Sequence, residues 1–168
     1  MSVDTRPASI LLIGYGNPGR HDDGLGPALA KRLEQAALAG VDIDIDYQLN
    51  IEHAYDLAAY DVVVFADAAR SDGAGEQPQS PFYFHPLDPG NPISFSTHSV
   101  SPQAVMRLAC DLFQAKTQAY VLGITGYEFE EIGEGLTQKA AHNLDQAEAF
   151  ITDRLVNATH RNNKVGSI

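Results

Sequence analysis

Basic residues are scarce in this chain, cysteine occurs once and tryptophan not at all, and no apolar run is long. Each shortage removes a class of function. Only 11 Lys and Arg stand against 22 Asp and Glu, a formal net charge of −11. A surface that acidic repels phosphate backbones and anionic lipid surfaces, so neither nucleic acid nor a membrane is the expected partner. The single cysteine, Cys110, has no partner within the chain for a disulfide. Uninterrupted aliphatic and aromatic stretches are as short as Val62-Val63-Val64-Phe65, where a membrane-spanning helix needs about 20 apolar residues. The first seven residues carry no basic-then-apolar pattern, and the expectation is a cytoplasmic protein. Nucleophile motifs are missing too: there is neither a G-x-S-x-G elbow nor an H-E-x-x-H helix.

What is present is an ordinary globular composition over 168 residues, the length of one domain with a sizeable core. Ser9–Ile13, closed by Gly14, reads as a strand buried on both faces. Leu25, Ala28, Leu29, Leu33 and Ala36 then recur at helical spacing, with Asp22 or Asp23 as the expected N-cap and Pro27 in the first turn. Residues 41–47 alternate strictly and predict an edge strand with an acidic outer face, Asp42, Asp44 and Asp46. A short helix is expected over 52–59. Asp61–Asp67 reads as a second doubly buried strand ending on a carboxylate, and residues 70–80 as a loop. Phe82–Phe84 is a short strand with no full helix before the next element, so it is expected to run antiparallel. Ser101-Pro102 opens a helix with core positions Val105, Leu108, Ala109 and Leu112. Cys110 is expected as a small buried apolar residue on that helix. Residues 119–124 form a further strand. Leu136, Ala140, Leu144, Ala147, Ile151 and Leu155 mark a long final helix. Residues 1–7 and 157–168 are expected to be flexible, leaving a core over 8–156.

Strands alternating with helices predict a single three-layer α/β/α domain around a mostly parallel five-stranded sheet. Right-handed crossovers place the first and third strands side by side, with the acidic second strand outside the first. Ligands of such sheets bind beyond the carboxyl ends of the strands, where strand order reverses. Asp23 and Asp67 both arrive there, and His98 precedes a helix N-terminus. Two carboxylates and an imidazole make an N/O donor set for Zn, Ni, Fe or Mn, with positions left open for water or substrate. Each has a plainer alternative: Asp23 as a helix cap, Asp67 as a turn residue, His98 as one of six solvated or structural histidines.

Gly14-Tyr15-Gly16-Asn17-Pro18-Gly19 spells G-x-G-x-x-G after a strand. A dinucleotide site would open its helix at once and meet phosphate there. Here Arg20-His21-Asp22-Asp23 intervenes, and two carboxylates would face the phosphates, so a tight glycine turn is the better reading. The acidic segment Glu128, Glu130, Glu131 and Glu134 reads as a solvated loop, with reception of a basic partner segment as the alternative.

Gly14-Tyr15-Gly16-Asn17 with Asp22-Asp23-Gly24, then Phe65-Ala66-Asp67-Ala68-Ala69, then Thr97-His98-Ser99, resembles the [NiFe]-hydrogenase maturation proteases over residues 9–155. Gln48–Ala54 and Gly126–Glu130 look like the branch serving bidirectional, NAD(P)-linked hydrogenases. The resemblance implies an endopeptidase that removes a C-terminal extension from the hydrogenase large-subunit precursor after nickel insertion. It implies metal contact by Asp23, Asp67 and His98, the first being Glu in some members of the family. It implies that the nickel comes with the substrate as a recognition signal, with no tightly held cofactor. Two rival readings remain. The glycine motif is also similar to the opening of peptidyl-tRNA hydrolases, although Asp22-Asp23 stands where a His-Asn pair is expected and the net charge opposes RNA binding. A non-catalytic nickel-checking chaperone of the same large subunit would carry the same residues.

Overall fold

The computed structural model describes residues 6–71, 80–90 and 100–160. In chain order these form β1 (Ile10–Tyr15), a 3-10 turn (His21–Gly24), α1 (Leu25–Ala36), β2 (Val41–Asp46), α2 (Glu52–Leu57), β3 (Val62–Arg70), β4 (Phe82–Leu87), α3 (Pro102–Phe113), β5 (Gln118–Gly126) and α4 (Gln138–His160). The sheet order is β2-β1-β3-β5-β4. The first four strands in that order run parallel, and β4 is antiparallel to β5. Strand order therefore reverses between β1 and β3, and the two loops leaving them diverge at the carboxyl edge of the sheet.

Period-two alternation sorts the side chains into two cores. Ile10, Leu12, Val62, Val64, Leu122 and Ile124 pack with α1 and α4. Leu11, Ile13, Val63, Phe65 and Val121 pack with α2 and α3. Both faces are thus covered, which is why these parallel strands read as continuous apolar runs. Phe65 is fully enclosed, and truncating such a side chain to alanine costs about 3–5 kcal/mol.

The three-layer fold, the antiparallel β4 and the acidic edge strand match the sequence expectations. Ser101 caps α3 by accepting from the Ala104 N–H at 3.2 Å, with Pro102 at the first helical position. Since α3 ends only a few residues before β5 begins, its capped N-terminus points to the opposite, carboxyl edge of the sheet.

Five expectations need correction. β3 does not stop at Asp67: it continues to Arg70, because β5 is equally long and pairs with it as far as Arg70↔Gly126. Neither Asp22 nor Asp23 caps α1; the 3-10 turn runs straight into the helix and Gly24 occupies the cap position. Leu112 is 65% exposed, since α3 packs through Ala104, Val105, Met106 and Ala109 and its last turn stands clear of the core. Cys110 is half-buried on the same helix, with its thiol 3.7 Å from the Ala115 carbonyl. The last helix runs on through residues 157–160, so the described core extends beyond 156. The loop expected over 70–80 falls largely on residues outside those described.

Candidate active site

Four residues line up across the carboxyl edge of the sheet on the face covered by α3. Tyr15 follows Leu11 and Ile13 at period two on β1 and packs against the same core. Asp67 follows Val63 and Phe65 at period two on β3. Register then fixes the others: Asp67 lies opposite Gly123 of β5, and Gly123 lies opposite Tyr83 of β4. Cross-strand partners share a face, so a carboxylate stands between two phenols with a glycine beside it.

Asp67 is a carboxylate in a poor environment for charge. Burial pushes its pKa up, and the negative charge of nearby Asp23 pushes it further; bonds from the Ala68 N–H and the Tyr15 phenol pull the other way. The result is a carboxyl raised to about 6. The Ala68 N–H reaches Oδ1 at 2.8 Å. Tyr15, half-buried, donates its hydroxyl to the same carboxylate, and desolvation and the Asp67 charge hold that phenol well above its ordinary range. Two carboxylates close together at a half-buried edge attract a cation, and a cation would favour the charged form of Asp67.

Asp23 reaches this edge from the loop after β1. Its Oδ2 accepts the Asn17 N–H at 2.8 Å. The loop can pass this close only because residue 16 is glycine: Gly16 has φ +142°, and a Cβ there would collide with the Asp23 carbonyl. The neighbouring Asp22 points away and is fully buried. It accepts the Thr137 N–H at 2.8 Å on Oδ1; on Oδ2 it accepts the Tyr127 N–H at 2.8 Å, the Glu128 N–H at 3.1 Å and the Thr137 hydroxyl at 2.8 Å. Burial alone would raise the Asp22 pKa, but these bonds outweigh it and hold the carboxyl below its ordinary value. The backbone adds to the clasp: the His21 N–H donates to the Gly133 carbonyl at 2.9 Å, and the Gly133 N–H donates to the Gly19 carbonyl at 2.8 Å. The glycine loop is therefore fastened to the segment after β5, and Asp23 rides on a fixed platform.

Of the expected site residues, Asp23 and Asp67 come together at this edge, and His98 lies outside the described residues. Among the described residues no group of three His, Cys, Asp or Glu is close enough to hold a metal ion. The glycine motif does make a turn, as expected, and the acidic segment is largely solvated. Glu128 accepts the N–H groups of Glu130 and Glu131, and Glu130 pairs with Arg70 on the surface. Sequence reasoning overlooked Tyr15, Tyr83 and Gly123 as members of the site. Two signals were there to be read. Phe82-Tyr83-Phe84 turns one tyrosine away from two core phenylalanines, and a glycine inside the apolar β5 marks a close approach.

No family model matches the chain, and no curated protein matches it in sequence. Solved structures do. The [NiFe] hydrogenase maturation protease HycI from Thermococcus kodakarensis superposes with a TM-score of 0.68 at 20% identity, over 92% of this chain and 96% of that one. The hydrogenase maturating endopeptidase HybD from E. coli gives 0.64 at 21% identity, over 89% and 93%. HybD from Thermococcus kodakarensis gives 0.63 at 17% identity, over 88% and 99%. With its length, sheet order and layers all accounted for, the chain has the fold of the [NiFe] hydrogenase maturation proteases.

Proposed function

We propose that this protein is an endopeptidase that removes the C-terminal extension of a [NiFe]-hydrogenase large-subunit precursor after nickel has been inserted. The observation that carries the reading is the pairing of Asp23 with a half-buried Asp67 of raised pKa at the switch point of a sheet built like those of the maturation proteases. In this reading nickel is part of the substrate. Asp23, Asp67 and, from its sequence motif, His98 contact it as the precursor docks. Bound there, the metal polarises the peptide carbonyl or the attacking water.

The chain's own groups do the rest. Tyr15 and the Ala68 N–H hold Asp67 in one orientation, and the Asn17 N–H holds Asp23. In the alternative step, a carboxylate of this edge acts in place of the metal as general base for the water that attacks the peptide carbon. Water adds across the peptide bond, the C–N bond breaks, and the proton passes to the leaving amine. No helix among the described residues is long and apolar enough to cross a membrane. The branch acting on NAD(P)-linked hydrogenases belongs to the same reading and rests on sequence resemblance.

The test is direct. Nickel-loaded and nickel-free precursor are each incubated with the protein and weighed by intact-mass spectrometry. Loss of one C-terminal peptide from the nickel-loaded form alone is the expected result; an unchanged mass in both contradicts the proposal.

A further inference from the structure

The two tyrosines beside Asp67 are employed differently. The Tyr15 hydroxyl is engaged with the carboxylate. The Tyr83 hydroxyl has no hydrogen-bond partner among the described residues, yet its ring is held firmly. The ring lies flat on Gly123: a Cβ at position 123 would strike its Cε1, Cζ and hydroxyl atoms. On its own strand His85 stacks on it, with centroids 5.2 Å apart and planes 20° from parallel. Tyr83 remains 37% exposed, so the hydroxyl is within reach of an incoming chain. Its strand neighbours Phe82 and Phe84 pack into the opposite core against Phe150 and Tyr120, which fixes the direction in which Tyr83 points.

We infer that Tyr83 is a catalytic residue of this site, its phenol donating a hydrogen bond to the carbonyl oxygen of the peptide bond that is cut. The inference rests on the peptidase reading and adds to it a group the carboxylates cannot replace. Peptide hydrolysis develops negative charge on the carbonyl oxygen and needs a donor aimed at it. Asp23 and Asp67 are acceptors, and the Ala68 N–H and Tyr15 hydroxyl already point at Asp67. A phenol, with an ordinary pKa of about 10, stays protonated at neutral pH. It donates without giving up its proton, which belongs to neither the water nor the leaving amine. Gly123 serves as the saddle that lets the ring lie beside Asp67.

The experiment is a time course of precursor trimming, read by intact mass on nickel-loaded large subunit, for the parent protein, Tyr83→Phe, Gly123→Ala, Asp67→Asn and Tyr60→Phe. Removing the Tyr83 hydroxyl should lower kcat about 100-fold, the scale of a lost oxyanion donor, with KM unchanged within about twofold. Gly123→Ala should lower kcat by displacing the ring. Tyr60→Phe, which removes a hydroxyl bonded to Asp42 at 2.7 Å, away from the site, should leave kcat unchanged. If the parent protein trims the precursor and Asp67→Asn does not, but Tyr83→Phe keeps its kcat or changes only KM, the role of Tyr83 is overturned and the peptidase reading stands. If the parent protein does not trim at all, both fall together.

Discussion

Asp22, fully buried, and Asp67, half-buried, are both aspartates at the carboxyl edge of the same sheet, and the protein treats them in opposite ways. Asp22 accepts four hydrogen bonds, three of them from main-chain N–H groups, and its carboxyl titrates below the ordinary range. Asp67 is held by one main-chain N–H and one phenol, faces a second carboxylate, and titrates near 6. The first is a fastener whose charge is fully matched inside the chain. The second is poorly matched in charge, and a perturbed carboxylate at the switch point of such a sheet marks a candidate place for a ligand. In the proposed reading the clasp around Asp22 sets the platform, and the row from Tyr15 to Tyr83 meets the substrate.

Substituting Asp67 by asparagine breaks the comparison most severely. Trimming of the precursor should fall by at least about 1000-fold, the scale seen when a reacting group is removed. Stability should move the other way. A carboxyl at about 6 in the folded protein and 3.8 when unfolded binds more protons in the folded state between those values. Folding stability from this group therefore declines as pH rises from about 4 to 6, and at neutral pH the penalty is roughly 2–3 kcal/mol. Asp67→Asn lacks that penalty, so its urea midpoint at pH 7 should exceed that of the parent, and the gap should close near pH 4.

Asp22→Ala makes the converse case. It strands three buried N–H groups and should destabilise by about 3–5 kcal/mol in a denaturant melt. The lowered carboxyl gives the opposite pH dependence: its stabilisation is present above the ordinary carboxylate range and is lost as pH falls through the depressed value. A protein in which Asp22→Ala left the melt unchanged would not be built as described.

Asp23→Asn should be milder in structure and clear in function. The asparagine carbonyl can still accept the Asn17 N–H, so stability should stay within about 1 kcal/mol. Trimming should drop about 100-fold through loss of a charge that faces the metal-bearing substrate. Removing its repulsion should also bring the Asp67 carboxyl closer to the ordinary range, which NMR titration of the carboxyl carbons would show.

The smallest effect belongs to the solvated acidic segment. Arg70–Glu130 is an exposed pair at 2.7 Å, and Glu130→Ala should shift stability by less than about 1 kcal/mol. A large effect there would mean that the segment after β5 is more than the outer half of the clasp.

Much of this could be read from residue order. The apolar runs of β1, β3 and β5, the Ser101-Pro102 start and the spacing of Ala140 to Leu155 are local signals that give element type, while right-handed crossovers give the order of the first three strands. Asp23 and Asp67 were legible because topology alone brings the loop after β1 to the end of β3. The rest depends on long-range partners. Ala68-Ala69-Arg70 carries no strand pattern and is drawn into β3 by pairing with Ile124–Gly126. Asp22 looks like a helix cap until Tyr127 and Thr137, more than 100 residues away, supply its donors. Leu112 fits a helical stripe, but the packing of α3 against its neighbours ends before the last turn. Tyr83 joins the site only through the register of two strand pairs.

The central claim is that the poorly matched charge of Asp67 serves peptide cleavage on a nickel-bearing partner. Intact-mass measurement of nickel-loaded large-subunit precursor, after incubation with the protein or with its Asp67→Asn variant, tests it most directly. The account predicts one C-terminal peptide lost with the former and an unchanged mass with the latter. An unchanged mass with both, or the same loss with both, would contradict it.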